Sequence, residues 1–165
     1  MENDCFDKYH KTVFHIALGY VKNTHDADDI VQNVFLKLLN KLDAKPNAFS
    51  SEEVQKAWLI RVTINESKDL LKSAWFRKRN DLDESIAMPV NDDLGIYDYV
   101  KNLKPKYRTI VYLYYYQQYT IKEIASILKM PEATVGTHLY RARARLKEVL
   151  TKEDSYCGKQ LQGNV

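Results

Sequence analysis

A chain of 165 residues with 45% apolar and 28% charged side chains has room for one or two small cores, and its composition is that of a folded protein rather than a disordered or fibrous one. Only 5 glycines and 4 prolines are present, too few to turn the many strands of a sandwich or barrel, so the expected fold class is all-α. The net charge of +3 is unevenly spread: residues 45–80 carry 8 basic and 4 acidic side chains, 81–98 carry 6 acidic and no basic ones, and 99–155 carry 11 basic and 5 acidic. Two basic stretches separated by an acidic one point to two modules that each meet a polyanion. No apolar run reaches the roughly 18 residues of a membrane span, and the stretch from Met1 to His10 is polar, so no membrane insertion and a cytoplasmic location are expected. Cys5 and Cys157 stand at opposite ends of the chain without clustered histidines, and no metal site is expected.

In chain order, Tyr9, Val13, Ile16, Ala17 and Tyr20 have the spacing of a helix with one buried face. A second helix opens at Asp26, read as its N-cap, and carries the apolar stripe Ala27, Ile30, Val31, Val34, Phe35, Leu38, Leu39 and Leu42. After a loop containing Pro46, Ser50 and Glu53 have capping-box spacing at the head of a third helix, with Trp58, Leu59, Val62, Leu70 and Leu71 among its apolar residues. Residues 1–79 thus form a three-helix module. Residues 80–97 hold Pro89, Gly95 and most of the acidic block without helical periodicity, and read as a linker.

The second module spans 98–151, followed by a polar tail at 152–165. Its first helix starts at Pro105, and the tyrosines from Tyr112 to Tyr119 are read as packing. Thr120 and Glu123 form a capping box ahead of Ile121, Ile124, Ala125 and Leu128; a tight turn at Lys129 and Met130 leads through Pro131 to a helix with the inner stripe Val135, Leu139, Ala142 and Leu146. Two short helices at such a turn predict a helix-turn-helix. Its outward face holds Thr134, Thr137, His138, Arg141 and Arg145, the first three as groove contacts and the arginines as phosphate contacts. In the first module, Arg61, Asn65, Lys68 and Lys72 share one face of the third helix, and an Asn among cations is a residue type that contacts bases. The four histidines (His10, His15, His25, His138) are scattered and no phosphate loop or nucleophile motif appears, so neither catalytic residues nor a cofactor are expected.

Three stretches together resemble a small sigma factor of bacterial RNA polymerase, the extracytoplasmic-function type of the sigma-70 family: Asp26 to Leu39, Ala57 to Asn65 continuing through Asp69 to Lys72, and Leu103 to Arg108 with Tyr119 to Ala125 and Met130 to Leu146. The resemblance implies that Asp29, Gln32 and Phe35 contact core RNA polymerase or support such contacts, with the Phe35 ring itself read as core. It implies that Arg61, Asn65, Lys68 and Lys72 hold the opened strand of the minus-ten promoter element, and that the helix-turn-helix reads the minus-thirty-five element. Control by an anti-sigma protein is a further family expectation. Gly136 stands where the family commonly has Lys, His138 where it has Arg, and Asn33 where it has Glu. The alternative reading is a free-standing helix-turn-helix regulator acting as a homodimer. The two differ in whether the chain binds core polymerase.

Overall fold

The computed structural model describes residues 2–77, 100 and 102–161, which form helices and the turns between them, with no strand among them. The expected linker at 80–97 lies outside the described residues. Two compact units are formed, one within residues 1–89 and one within 90–165.

In the first unit, α1 (Glu2–Val21), α2 (Thr24–Ala44) and α3 (Glu52–Arg77) each pack on the other two. All five residues of the α1 stripe are buried, as are Ala27, Ile30, Val31, Val34, Phe35 and Leu38 of α2. Leu39, expected in the α2 stripe, is 37% exposed, and Leu71 of α3 is 38% exposed. Both lie at the edge of an apolar stripe wider than the face that three helices can cover. The α2 cap is Asn23 and not Asp26: its side chain accepts from the Asp26 N–H at 2.7 Å, and its own amide donates to the Asp26 carboxylate at 2.6 Å. Asp26 is therefore the third helical residue, where its charge still faces the positive helix end. The α3 cap is likewise displaced by one residue. Ser51, not Ser50, accepts from the Val54 N–H at 3.3 Å.

The second unit contains α4 (Pro105–Val111), which continues as a π-helical turn (Tyr112–Tyr116), then α5 (Ile121–Leu128) and α6 (Glu132–Leu161). Pro105 occupies the first turn of α4, as expected. Thr120 and Glu123 form the expected capping box, with the Glu123 N–H donating to Thr120 Oγ1 at 3.2 Å and the Thr120 N–H donating to the Glu123 carboxylate at 2.8 Å. Lys129 ends α5 in the left-handed region (φ 52°), and the Met130 N–H returns to the Ala125 carbonyl at 3.1 Å. Ala125 is buried there, where a larger side chain would hold the helices apart. Ile124, Ile127, Val135, Leu139 and Ala142 close the core between α5 and α6, which completes the helix-turn-helix.

Two expectations are corrected in this unit. First, α6 runs to Leu161, through the residues expected to form a polar tail. No proline interrupts it, and a Lys152–Glu148 pair at 3.4 Å lies one turn apart where it continues. Second, the tyrosine run is not simply packing. Leu113 is buried, whereas Tyr115 and Tyr116 are half exposed. Within the π-helical turn the Tyr112 and Tyr116 rings stack at 5.6 Å and 21°, and the Tyr114 and Tyr115 rings meet edge-on at 5.0 Å.

Candidate nucleic-acid interface

The α3 face rests on an inner side that combines aliphatics with small hydroxyls. Ile60 and Ile64 are buried, and between them Thr63 donates to the Leu59 carbonyl and Ser67 to the Thr63 carbonyl, each at 2.7 Å. These bonds satisfy hydroxyls that would otherwise be costly to bury, and the small side chains let the neighbouring helices approach. On the opposite side, Asn65, Lys68 and Lys72 are exposed and Arg61 is half buried. Lys72 lies 3.7 Å from Asp69, both well exposed, a contact too wet to fix either chain. The four residues named from sequence thus share one helix face.

Near the head of α3, the Phe49 and Trp58 rings meet at 5.5 Å between centroids, with Lys41 Nζ 5.7 and 5.5 Å from the two. The pair is half buried. Glu52 accepts from Lys8 and, at 2.5 Å, from the Tyr9 hydroxyl, and these bonds hold its carboxyl below the usual carboxylate range. They tie the start of α3 to α1.

Of the residues assigned to polymerase contact, Asp29 and Gln32 are exposed on α2, with Asp29 3.3 Å from His25 Nδ1. Phe35 is a core residue, as its ring was expected to be. It is 8% exposed in the core, its ring 4.8 Å from that of Phe6, because it lies on the inner stripe one turn beyond Val31.

On α6, Thr137, Arg141 and Arg145 are exposed and Thr134 is half buried. Thr137 donates to the Ala133 carbonyl at 2.9 Å, which leaves its methyl and an oxygen lone pair outward. His138 departs from the expected placement: it is half buried, with its ring edge-on to Tyr107 at 5.4 Å, and its Nδ1 is enclosed without a partner among the described residues. Residue 138 lies directly before Leu139 of the inner stripe, so the side chain leans toward α4. Burial, then the charges of Lys106 and Arg141, hold this imidazole below its ordinary value and keep it neutral.

The arginines are not loose. Arg145 lies 5.5 Å from the centroid of the Tyr107 ring. Burial would raise the Tyr107 phenol, but the neighbouring Arg141 and the charges of Lys106 and Arg145 outweigh it and set it below its ordinary value. Arg143 Nε donates to the Tyr115 hydroxyl at 2.7 Å, and its guanidinium sits 5.3 and 5.6 Å from the Tyr114 and Tyr115 rings. These tyrosines were not identified as functional from sequence. The one signal available was a tyrosine-rich block preceding an arginine-rich helix in the same small domain.

Family models match both units. The model for sigma-70 region 2 matches residues 5–77 and the model for sigma-70 region 4 matches residues 94–146. The chain belongs to the sigma-70 family. It is of the extracytoplasmic-function type, similar to the RNA polymerase sigma factor SigV of Bacillus subtilis, at 30% identity over 91% of both chains. It is also similar to the ECF RNA polymerase sigma factor SigW of the same organism, at 26% identity over 89% of this chain and 87% of that one. Among solved structures it resembles the sigma factor RpoE of Bartonella quintana, in complex with the anti-sigma factor NepR, with a TM-score of 0.74 at 22% identity over 90% of this chain and 96% of that one. CnrH, in complex with the cytosolic domain of CnrY, gives a TM-score of 0.62 at 19% identity over 92% of this chain and 88% of that one. At these identities the structural likeness speaks to the all-helical fold.

Proposed function

We propose that this chain binds core RNA polymerase as a sigma factor and directs promoter-specific transcription initiation, with α3 at the minus-ten element and the helix-turn-helix at the minus-thirty-five element. The family match over both units, together with a basic face on each, carries this reading. A region-2 match along α1 to α3 accounts for the first unit as a polymerase-docking body and leaves the homodimeric regulator without support.

No covalent step is assigned to the protein. Opening a few base pairs costs a few kcal/mol per unstacked step, and holding an extruded base and the separated strand offsets that cost, at roughly 1–3 kcal/mol per stacked base. Asn65 presents a donor and an acceptor suited to one base edge, while Arg61, Lys68 and Lys72 follow the strand backbone. Asp29 and Gln32 contribute to polymerase docking. On α6, Thr134 and Thr137 meet base edges, and Arg141 and Arg145 meet phosphates. The complexes of RpoE with NepR and of CnrH with CnrY support a further element of the reading, that an anti-sigma protein holds this chain inactive.

The decisive experiment is reconstitution with purified core polymerase on genomic DNA, with the RNA start sites sequenced. Expected are discrete starts sharing a pair of upstream elements. Starts identical to those of core enzyme alone would refute the proposal.

A further inference from the structure

The exposed side of α6 is apolar along its centre and cationic at its edge. Ala133, Thr137, Tyr140 and Ala144 are separated by four, three and four positions, so they line one side of the helix, opposite the buried Val135, Leu139 and Ala142. All four are exposed, the Tyr140 ring by 73%. Arg141 and Arg145, also exposed, run along one edge of this stripe. Arg143, six positions after Thr137, falls on another side of the helix, where it is bonded to the Tyr115 hydroxyl at 2.7 Å. His138 is half buried against Tyr107 and so stands off the stripe as well.

These side chains decide which base edges the stripe can read. Two-bond recognition of guanine needs Arg or Lys, and that of adenine needs Asn or Gln; none of the four is such a residue. The Thr137 hydroxyl hydrogen is spent on the Ala133 carbonyl at 2.9 Å, so this side chain presents a methyl group and an oxygen lone pair. Ala133 and Ala144 present methyl groups and Tyr140 a ring. In the major groove only thymine carries an apolar group, its C5 methyl, and small apolar side chains and aromatic rings complement it. Removing one such methyl from water is worth about a factor of four in affinity. Cations beside an apolar centre also match the duplex in cross-section, with phosphates at the rim of the groove and methyl groups on its floor.

We propose that the helix-turn-helix recognises thymine methyl groups in the major groove, through Ala133, the Thr137 methyl and the Tyr140 ring. The inference rests on the assignment of α6 to the minus-thirty-five element, and it names what that element contains: A·T pairs whose thymines face this stripe.

The test uses holoenzyme, core polymerase plus full chain, and a synthetic duplex of the upstream element defined by start-site sequencing, with a scrambled duplex as reference. Deoxyuridine replaces thymidine at each position in turn, which deletes the methyl and keeps every hydrogen-bonding group of the pair. Binding should weaken by about three- to fivefold at the contacted thymines and stay unchanged at the others. Thr137→Ser, which removes the methyl and keeps the hydroxyl, should abolish the effect at one position, whereas Thr137→Val should retain it. Tyr140→Ala should abolish it at another, whereas Tyr140→Phe should retain it. The residues are exposed, so melting temperatures should not change. A parent holoenzyme that selects the element over the scrambled duplex, yet binds every deoxyuridine duplex as tightly as the thymidine one, overturns the methyl readout and leaves the duplex assignment standing. Sensitivity that neither Thr137→Ser nor Tyr140→Ala alters overturns it too, because the methyls then act through DNA shape. If the parent does not distinguish the element from the scrambled duplex, the assignment of α6 itself fails and the inference with it.

Discussion

The basic faces of α3 and α6 differ in how their side chains are held. On α3 the backbone is anchored from behind, by Ile60, Ile64 and the back-bonded Thr63 and Ser67, while Asn65, Lys68 and Lys72 are exposed and, among the described residues, Lys72 makes a wet contact with Asp69. On α6 two of the cations are docked on aromatic rings of α4 and the π-helical turn, Arg145 on Tyr107 and Arg143 on Tyr114 and Tyr115. A duplex presents phosphates at fixed spacing, and a preset array suits it. A separated strand has no fixed geometry, and flexible lysines follow it at lower cost in fit. The difference in side-chain restraint therefore matches the two roles proposed for the units.

The strongest way to break the comparison is to unmake one side of it. Leu139 is 1% exposed between α6 and its neighbours, and Leu139→Ala should destabilise the second unit by roughly 2–5 kcal/mol. Segment-resolved hydrogen exchange should show lost protection across α4 to α6 and unchanged protection in α1 to α3. Equal loss in both units would mean that they do not fold as separate bodies.

Next in size is a pair of substitutions on the two faces. Asn65→Ala should cut the yield of open complex by about tenfold or more, within the roughly 1–3 kcal/mol expected of a good base contact, and leave the melting temperature unchanged. Arg141→Ala should weaken binding to any duplex and reduce the slope of log affinity against log salt by up to about one unit. A lowered melting temperature with normal opening would remove Asn65 from the DNA face. An unchanged salt slope would do the same for Arg141.

These faces were legible in the sequence to different depths. The apolar stripes of α1, α2 and α6 and the Thr120–Glu123 box follow from period and spacing within one element, so they could be read directly. Caps were harder, because Asn23 and Asp26, or Ser50 and Ser51, are chemically equivalent at the sequence level and only the hydrogen bonds choose between them. Thr63 and Ser67 escaped because a hydroxyl that bonds the preceding turn behaves as a small buried side chain. His138 was assigned outward from its place on the α6 stripe. Its inclination is set by Tyr107, a residue of another helix, and no period within α6 encodes that. The docking of the arginines was hidden for the same reason.

Acid should act on both units through one half-buried histidine in each. His15 is held low by burial, then by Lys11 and His10; His138 is held low by burial, then by Lys106 and Arg141. In each case the folded value lies below that of the unfolded chain, about 6.5. Stability is therefore fully present above about pH 6.5 and falls as the pH drops through the depressed folded value, because the unfolded chain takes up the proton first. Denaturant titrations from pH 7.5 to 5 should show this decline, and His15→Gln and His138→Gln should each flatten it in their own unit. A decline untouched by both substitutions would place its origin elsewhere.

The smallest effect concerns Gly136, a position without a side chain in the first turns of the duplex-facing helix. A Cβ built on Gly136 meets nothing within 4 Å, so the glycine is not required by packing. Glycine inside a helix is worth about 1 kcal/mol less than alanine, and Gly136→Ala should raise the stability of the second unit by up to that amount. Gly136→Lys should stabilise less but add a cation to the stripe, raising the salt slope of duplex binding by up to about one unit. If Gly136→Ala instead stabilises the fold and weakens binding to the minus-thirty-five element, the missing side chain is what lets the helix backbone approach the groove. The docked arginines would then flank a contact made by the main chain, and the α6 face would be preset in its backbone as well as in its side chains.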